Sequence, residues 1–215
     1  WNPDYNGQGF DIHVKDGRIA LFWYTFNDGE SSRRVYLGTG PVGQPFDLLT
    51  TRGGTFADPT LAQTEAVGRA QVFSTAPERA VFSYDTEQFG RGSIELQRLA
   101  HSADPRSGVW YDPARNGEGF TITFLADEVV AYWYTYGPQP PTAIGSNLLR
   151  TQRWYLCKGP VNAMKIYEAQ GGKWMRFDDV TMLPVGTASL SELGGKLKFD
   201  YALGSSGSLT LERLL

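Results

Sequence analysis

Oxygen-bearing side chains are concentrated in the phrase WYDPARNGEGF, residues 110 to 120. Asp112, Asn116 and Glu118 place three potential oxygen ligands on a short loop that contains glycine, and such a loop could bind a calcium ion. The chain opens with a close copy of this phrase, WNPDYNGQGF, in which all three positions carry amides: Asn2, Asn6 and Gln8. A hard cation needs the carboxylate charges that this copy lacks. We therefore expect neither a metal site nor a cofactor, and calcium remains an alternative for the second copy alone.

Acids that could act in pairs are the main catalytic candidates. A glycoside hydrolase could pair Glu118 with Asp127 or Glu168, because two carboxyl groups beside a sugar bond suffice for hydrolysis. The first copy has Gln8 in place of Glu118, so at most one copy could be active. Cys157 is the only cysteine, and its setting in WYLCKG is typical of a small apolar strand residue. We expect no catalytic residue, and an enzyme acting on polysaccharide or lipid is kept as an alternative.

Aromatic residues form a second set of candidates, in the phrases FWYTF at 22 to 26 and YWYTY at 132 to 136. Successive side chains of a strand point to opposite faces, so one face of each strand is expected to form core and the other to be visible to solvent or a ligand. Tyrosine and tryptophan suit stacking on sugar rings. The candidate ligand-binding residues are Trp23, Tyr24, Trp133, Tyr134 and Trp154, together with the amides Asn6 and Asn116.

These phrases belong to a repeat that runs through the chain. Sliding the sequence by 110 positions aligns FWYTF with YWYTY, and further on VYLGTGPV at 35 to 42 matches WYLCKGPV at 154 to 161. GSIELQRL and GSLTLERL end the two copies. Trp1 aligns with Tyr111, so the first copy has no equivalent of Trp110.

The repeat divides the chain into two units. The first copy covers residues 1–99 and the second covers 111–215, while the Pro, Gly and Ser content of residues 100–110 predicts a linker. Because each copy carries a full strand set, we expect residues 104–215 to fold alone.

The apolar residues of each copy recur with a period of two, as in FTITFL at 120 to 125, and this period is typical of half-buried strands. Turn residues cut each copy into seven or eight strands at the spacing of antiparallel hairpins. The predicted fold is all-β, with two tandem copies of a seven- to eight-stranded antiparallel meander. Each copy forms a small barrel or sandwich, and one barrel shared by both copies is the alternative. The Asn-Gly pairs predict tight turns with positive φ at Gly117 and its counterpart.

Composition excludes several classes of protein. Lys and Arg number 20 against 23 Asp and Glu, which gives a net charge of -3 and no basic field for nucleic acid. No apolar run approaches 18 residues, so we expect no membrane-spanning helix. The high content of Gly (25) and Pro (12) favours many turns between short strands.

The run W-Y-D-P-x-x-N-G-E-G-F, followed by W-Y-T-Y and then by W-Y-L, resembles a tandem repeat of exported proteobacterial proteins. The resemblance covers nearly the whole chain, twice, and implies a secreted, periplasmic or cell-surface location. It implies no particular activity. The missing equivalent of Trp110 is a departure from the pattern and indicates that the first copy is incompletely represented.

Three functions are compatible with this sequence. The first is a non-catalytic extracellular binding module for carbohydrate or cell-envelope glycan, in which duplication adds avidity. The second is a structural or assembly subunit of an exported appendage or complex, which self-associates through strand edges. The third is the enzyme considered above. The second copy has a longer loop, GPQPPTAIGSNLLRTQR at 137 to 153, where we expect ligand recognition to concentrate.

Overall fold

The computed structural model describes residues 1–5, 7–26, 33–56, 61–115, 117–137, 152–175 and 180–214. These residues form strands joined by turns and loops, and the strands make two antiparallel sheets. The predicted all-β fold with two tandem meanders is confirmed.

The first repeat forms a sheet of seven antiparallel strands that follow one another in chain order. Its strands are β1 (Gly9–Lys15), β2 (Arg18–Phe26), β3 (Arg33–Pro41), β4 (Phe46–Arg52), β5 (Gln63–Ala76), β6 (Arg79–Thr86) and β7 (Gly90–Gln97). Each strand pairs with the next one along the chain, as expected of a meander with short connections.

The second repeat forms a closed barrel of eight strands. Its strands are β8 (Gly108–Tyr111), β9 (Gly119–Phe124), β10 (Val129–Tyr136), β11 (Gln152–Gly159), β12 (Met164–Gln170), β13 (Thr181–Leu193), β14 (Lys196–Leu203) and β15 (Ser205–Arg213). The barrel closes because β8 pairs with β9 on one side and with β15 on the other. Strand β8 begins inside residues 100–110, so part of the predicted linker is a barrel strand.

Each sheet encloses its own apolar core, which is filled by every second side chain along its strands. Ile19, Leu21 and Trp23 of β2 lie in the core of the first sheet. Ala131 and Trp133 of β10 lie in the core of the second. The side chains between these residues point to the opposite face, where the two sheets contact each other.

An aromatic side chain from the other repeat completes each core. Phe56, in the loop after β4, packs against Trp133, with 5.6 Å between the ring centroids. Trp174, in the loop after β12, lies 4.1 Å from Phe89 and 5.6 Å from Trp23 by the same measure. The two loops follow equivalent strands, so the exchange is reciprocal. It joins the two repeats more closely than a linker would.

The repeated Asn-Gly phrase places its glycine against the other repeat. Its glycine has a left-handed backbone in both copies, with φ of 70° at Gly7 and 74° at Gly117, as predicted. A Cβ atom added at Gly7 would lie 2.6 Å from a methyl carbon of Val180. One added at Gly117 would overlap the hydroxyl of Tyr136 and lie 2.9 Å from the methyl carbon of Ala62. Because Val180 and Ala62 each belong to the opposite repeat, this turn helps to hold the sheets together.

Gly117→Val is therefore expected to lower the free energy of unfolding by about 2 to 4 kcal/mol, through backbone strain together with steric overlap. Gly17→Val is the control, because φ is 72° at Gly17 but an added Cβ would meet no atom within 4 Å. Urea unfolding of both variants measures the difference. Equal losses would mean that the overlap at Gly117 is relieved at no cost.

Candidate functional site

Two of the candidate ligand-binding residues, Trp23 and Trp133, lie at the centres of the two cores. Both side chains are fully buried. Trp133 stacks on Phe120 with 5.6 Å between centroids, and Trp23 stacks on Phe10 at 5.5 Å. Such pairs stabilise a core by about 0.5 to 1.5 kcal/mol beyond the area that they bury. A ligand could reach either indole only by displacing these partners.

The other candidate aromatics lie between the two sheets, in a cluster that we call the seam. It comprises Ala20, Phe22, Tyr24, Phe26, Val35, Val109, Tyr134, Trp154 and Ala169, with Leu37, Tyr132, Val180 and Met182 packed against them. Phe22 stacks on Tyr134 at 5.3 Å and Tyr24 stacks on Tyr132 at 4.5 Å. Phe22 is equivalent to Tyr132 and Tyr24 to Tyr134, so these contacts relate the repeats by an approximate twofold axis.

The expectation that one face of these strands is visible to solvent is therefore wrong. One face of β10 lines the barrel and the other is buried in the seam. Alternation separates the two faces of a strand but does not show what covers each face. Among the described aromatic residues, only Phe73 on β5 is largely exposed, at 43%.

The amide candidates Asn6 and Asn116 lie outside the described residues. The same holds for most of the long loop of the second copy, residues 138–151. Ligand recognition by these residues stays a prediction.

Gln8 and Glu118, the equivalent residues of the two glycine phrases, are buried and support the exchanged loops. Gln8 donates from Nε2 to the carbonyl oxygen of Lys173, at 3.0 Å. Glu118 pairs with Arg115, with 2.5 Å between Nε and Oε2. Arg115 in turn donates from Nη2 to the carbonyl oxygen of Phe56, at 2.7 Å. The carboxylate considered above as a calcium ligand or catalytic acid therefore has a structural partner.

The remaining chemical candidates are also engaged or buried. Glu168 forms an ion pair with Arg33 across the seam. Asp127 lies in the turn between β9 and β10. Burial raises the pKa of the Cys157 thiol to about 12, so its thiolate is scarce at neutral pH. In the described part of the chain, no group of three or more His, Cys, Asp or Glu side chains could hold a metal ion.

Sequence reasoning missed a half-buried acid, Asp11 on β1, at the border of the seam. Thr121 of the second repeat donates its hydroxyl proton to Asp11. The hydroxyl oxygens of Tyr24 and Thr121 lie 3.0 Å apart. Since Thr121 has a single proton to donate, Tyr24 is the donor in that contact. Asp11 and Thr121 occupy equivalent positions of the two repeats. The exchange of an acid for a hydroxyl at this position is the feature of the sequence that could have pointed to the contact.

The ionisation of this group is shaped by its burial. Burial raises the pKa of Asp11, and the hydrogen bond from Thr121 opposes the shift. His13 follows on the same face of β1, and burial lowers its pKa while the charge of Asp11 acts in the opposite direction. Within the described residues, Nε2 of His13 is buried without a hydrogen-bond partner. Asp11 and His13 thus lie on one face of β1, at the edge of the first sheet.

The outer strands β1 and β7 leave the first sheet with an edge that the second barrel lacks. Among the described strands, β1 pairs only with β2, and β7 pairs only with β6. Side chains that are buried in the barrel are exposed here. Ile12 is 36% exposed whereas its equivalent Ile122 is 0% exposed, and Val14 is 62% exposed whereas Phe124 is 4% exposed. Ile12 and Val14 make this edge an accessible apolar strand surface, and we take it as the candidate site.

No helix in the described ranges is both long and apolar enough to cross a membrane. Comparisons of the chain with protein-family models, with curated proteins and with solved structures found no match. The function of this chain is therefore inferred from the geometry of the seam and of the open edge.

Proposed function

We propose that this protein is a non-catalytic binding and assembly module that takes up polypeptide at the open edge between β1 and β7. The observation that carries the proposal is the exposed apolar strand β1, with Ile12 and Val14 uncovered where the second barrel buries their equivalents. An unpaired strand edge presents a row of backbone donors and acceptors, and an extended segment of another chain can pair with them.

The seam supports this function by keeping the edge in place. Aromatic stacking and the exchanged residues Phe56 and Trp174 fix the first sheet against a closed barrel. A rigid sheet edge lowers the ordering cost of binding, because only the incoming segment loses conformational freedom. Export, expected from the resemblance, belongs to the same proposal. Recognition of a glycan is still supported by the sequence of the long loop of the second copy, residues 138–151, where loops on a rigid β scaffold favour ligand binding.

A displayed library of extended peptides tests this function. The chain is expected to enrich a set of peptides that bind saturably. Val14→Lys should weaken their binding at least tenfold, because a charged side chain at a strand edge opposes strand addition. The control is Val42→Lys, since Val42 is 49% exposed on the turn between β3 and β4, away from the edge.

Two results would contradict the proposal. Peptides that bind Val14→Lys as tightly as the unchanged chain would place binding elsewhere. A chain that selects no peptide, but binds one class in a panel of glycans, would instead support the carbohydrate-binding alternative. Amide hydrogen exchange of β1, slowed on peptide binding, gives an independent readout of strand pairing.

A further inference from the structure

The aromatic contacts of the seam do not distinguish one repeat from the other. Phe22 stacks on Tyr134 and Tyr24 stacks on Tyr132, so an aromatic ring stands at each of these positions in both repeats. Another first repeat could offer Tyr24 where the second repeat offers Tyr134, and the stacking would survive. Selection between the repeats therefore depends on the polar groups that meet across the seam.

Polar side chains meet across the seam at two equivalent places, and these places differ in charge. Arg33 at the start of β3 is equivalent to Gln152 at the start of β11, and the pairing of the next strands makes Thr50 equivalent to Glu168. At one place Arg33 forms its ion pair with Glu168. At the other, Gln152 donates from Nε2 to the hydroxyl oxygen of Thr50, at 3.1 Å. A charged pair at one place thus corresponds to a neutral pair at the other.

The guanidinium group of Arg33 is held by the second repeat. The side chain is only 6% exposed. Besides its contact with Glu168, it donates from Nη1 to the carbonyl oxygen of Trp154 at 3.3 Å, and its Cζ atom lies 5.3 Å from the ring centroid of Tyr155. A buried cation that loses its carboxylate is strongly destabilising. A first repeat in this place would offer the neutral hydroxyl of Thr50 instead of that carboxylate.

Asp11 and Thr121 lie where the approximate twofold axis crosses the seam. They occupy equivalent positions and contact each other, so each repeat meets its own equivalent position there. Two first repeats would bring two Asp11 carboxyl groups together, without the hydroxyl donor of Thr121. Like charges in a half-buried place repel each other and also lose contact with water. Two second repeats would bring two hydroxyl groups together, and these can hydrogen-bond to each other.

We infer that the seam is a selective interface, in which Asp11 and Arg33 make the first repeat accept a second repeat and reject another first repeat. The partner that fits has a hydroxyl at the position of Thr121 and a carboxylate at the position of Glu168. Two second repeats are less unfavourable, because the amide of Gln152 can donate to Glu168. Copies of the chain are thereby kept from associating through their first repeats. This selection does not depend on what the edge of the first sheet binds.

Exchange of the polar residues within the full chain tests the selection. The first variant gives both sides of the seam the polar residues of the first repeat, through Thr121→Asp, Gln152→Arg and Glu168→Thr. The second variant gives both sides those of the second repeat, through Asp11→Thr, Arg33→Gln and Thr50→Glu. The third variant combines all six substitutions, so that each polar pair forms again with its members exchanged between the repeats.

Urea unfolding is expected to rank the variants by their polar pairs and not by the number of substitutions. The urea midpoint of the first variant should fall by about 1 M or more, because unpaired charges are buried in its seam. The second variant should lose less. The third should recover at least half of the first variant's loss, although it carries twice as many substitutions. The control is Thr210→Asp, on an exposed position of β15, which should shift the midpoint by no more than about 0.2 M.

Additive behaviour would overturn the inference. If the losses of the first and second variants simply add up in the third, the exchanged positions act independently and the seam does not select a partner. A smaller exchange keeps the test decisive if the sixfold variant does not fold. Asp11→Thr combined with Thr121→Asp should be more stable than Thr121→Asp alone. A double variant that is no more stable than this single one would also overturn the inference.

Discussion

Trp174→Ala is expected to lower the free energy of unfolding by about 3 kcal/mol, and the loss should fall on the first sheet although Trp174 belongs to the second repeat. The indole is buried against Phe89, Trp23 and Tyr84 of the first repeat, with centroid distances of 4.1, 5.6 and 6.0 Å. Within the described residues its Nε1 has no hydrogen-bond partner, so alanine removes packing alone. The cavity would lie between β2 and β6.

Urea unfolding measures the size of this effect and amide hydrogen exchange shows its place. Faster exchange is expected in β2 and β6, with β9 and β14 less affected. Phe73→Ala serves as the control, because Phe73 is exposed and its removal should change stability by no more than about 0.5 kcal/mol. Phe56→Ala is the reciprocal variant, with the faster exchange in the second barrel. Losses confined to the repeat that carries the substitution would contradict the exchange of aromatic side chains.

Residues 104–215 expressed alone are expected to show no cooperative unfolding, contrary to what the repeat by itself predicts. This fragment loses Phe56 from its core and exposes the seam residues Tyr134 and Trp154 to water. Burying a large aromatic side chain contributes about 2 to 3 kcal/mol, and several are uncovered at once. The stability of a whole domain is only about 5 to 15 kcal/mol, so this loss is decisive.

Calorimetry and binding of a hydrophobic dye test the fragment. The expected result is dye binding without a sharp melting transition. Adding residues 1–103 as a second fragment should restore the transition and displace the dye, because the seam then re-forms. A sharp transition of residues 104–215 alone, with no dye bound, would show that the two repeats are independent domains.

Local patterns in the sequence were sufficient for the strands and turns. The alternation in FTITFL corresponds to β9, and the Asn-Gly pairs correspond to turns with positive φ at Gly7 and Gly117. These features depend on side-chain direction and backbone freedom within a few residues, so they can be read without the rest of the chain. Strand β8 escaped this reading because four residues among Pro, Gly and Ser are too few to show a period.

The candidate site could be predicted from the sequence only in part. The sequence showed that Trp1 aligns with Tyr111 and that the glycine phrases of the two copies differ in their acids and amides. It did not show that Ile12 and Val14 of β1 are exposed, or that the half-buried Asp11 contacts Thr121 of the second repeat. Those facts depend on which strands become neighbours after the sheets form.

The sequence by itself determined the strand class, the duplication and the turn positions of this protein. Only the tertiary structure decided that both faces of the aromatic strands are covered, and that Phe56 and Trp174 complete the core of the opposite repeat. The physical reason is that periodicity is a property of neighbouring residues, whereas burial depends on which distant surface packs against each face.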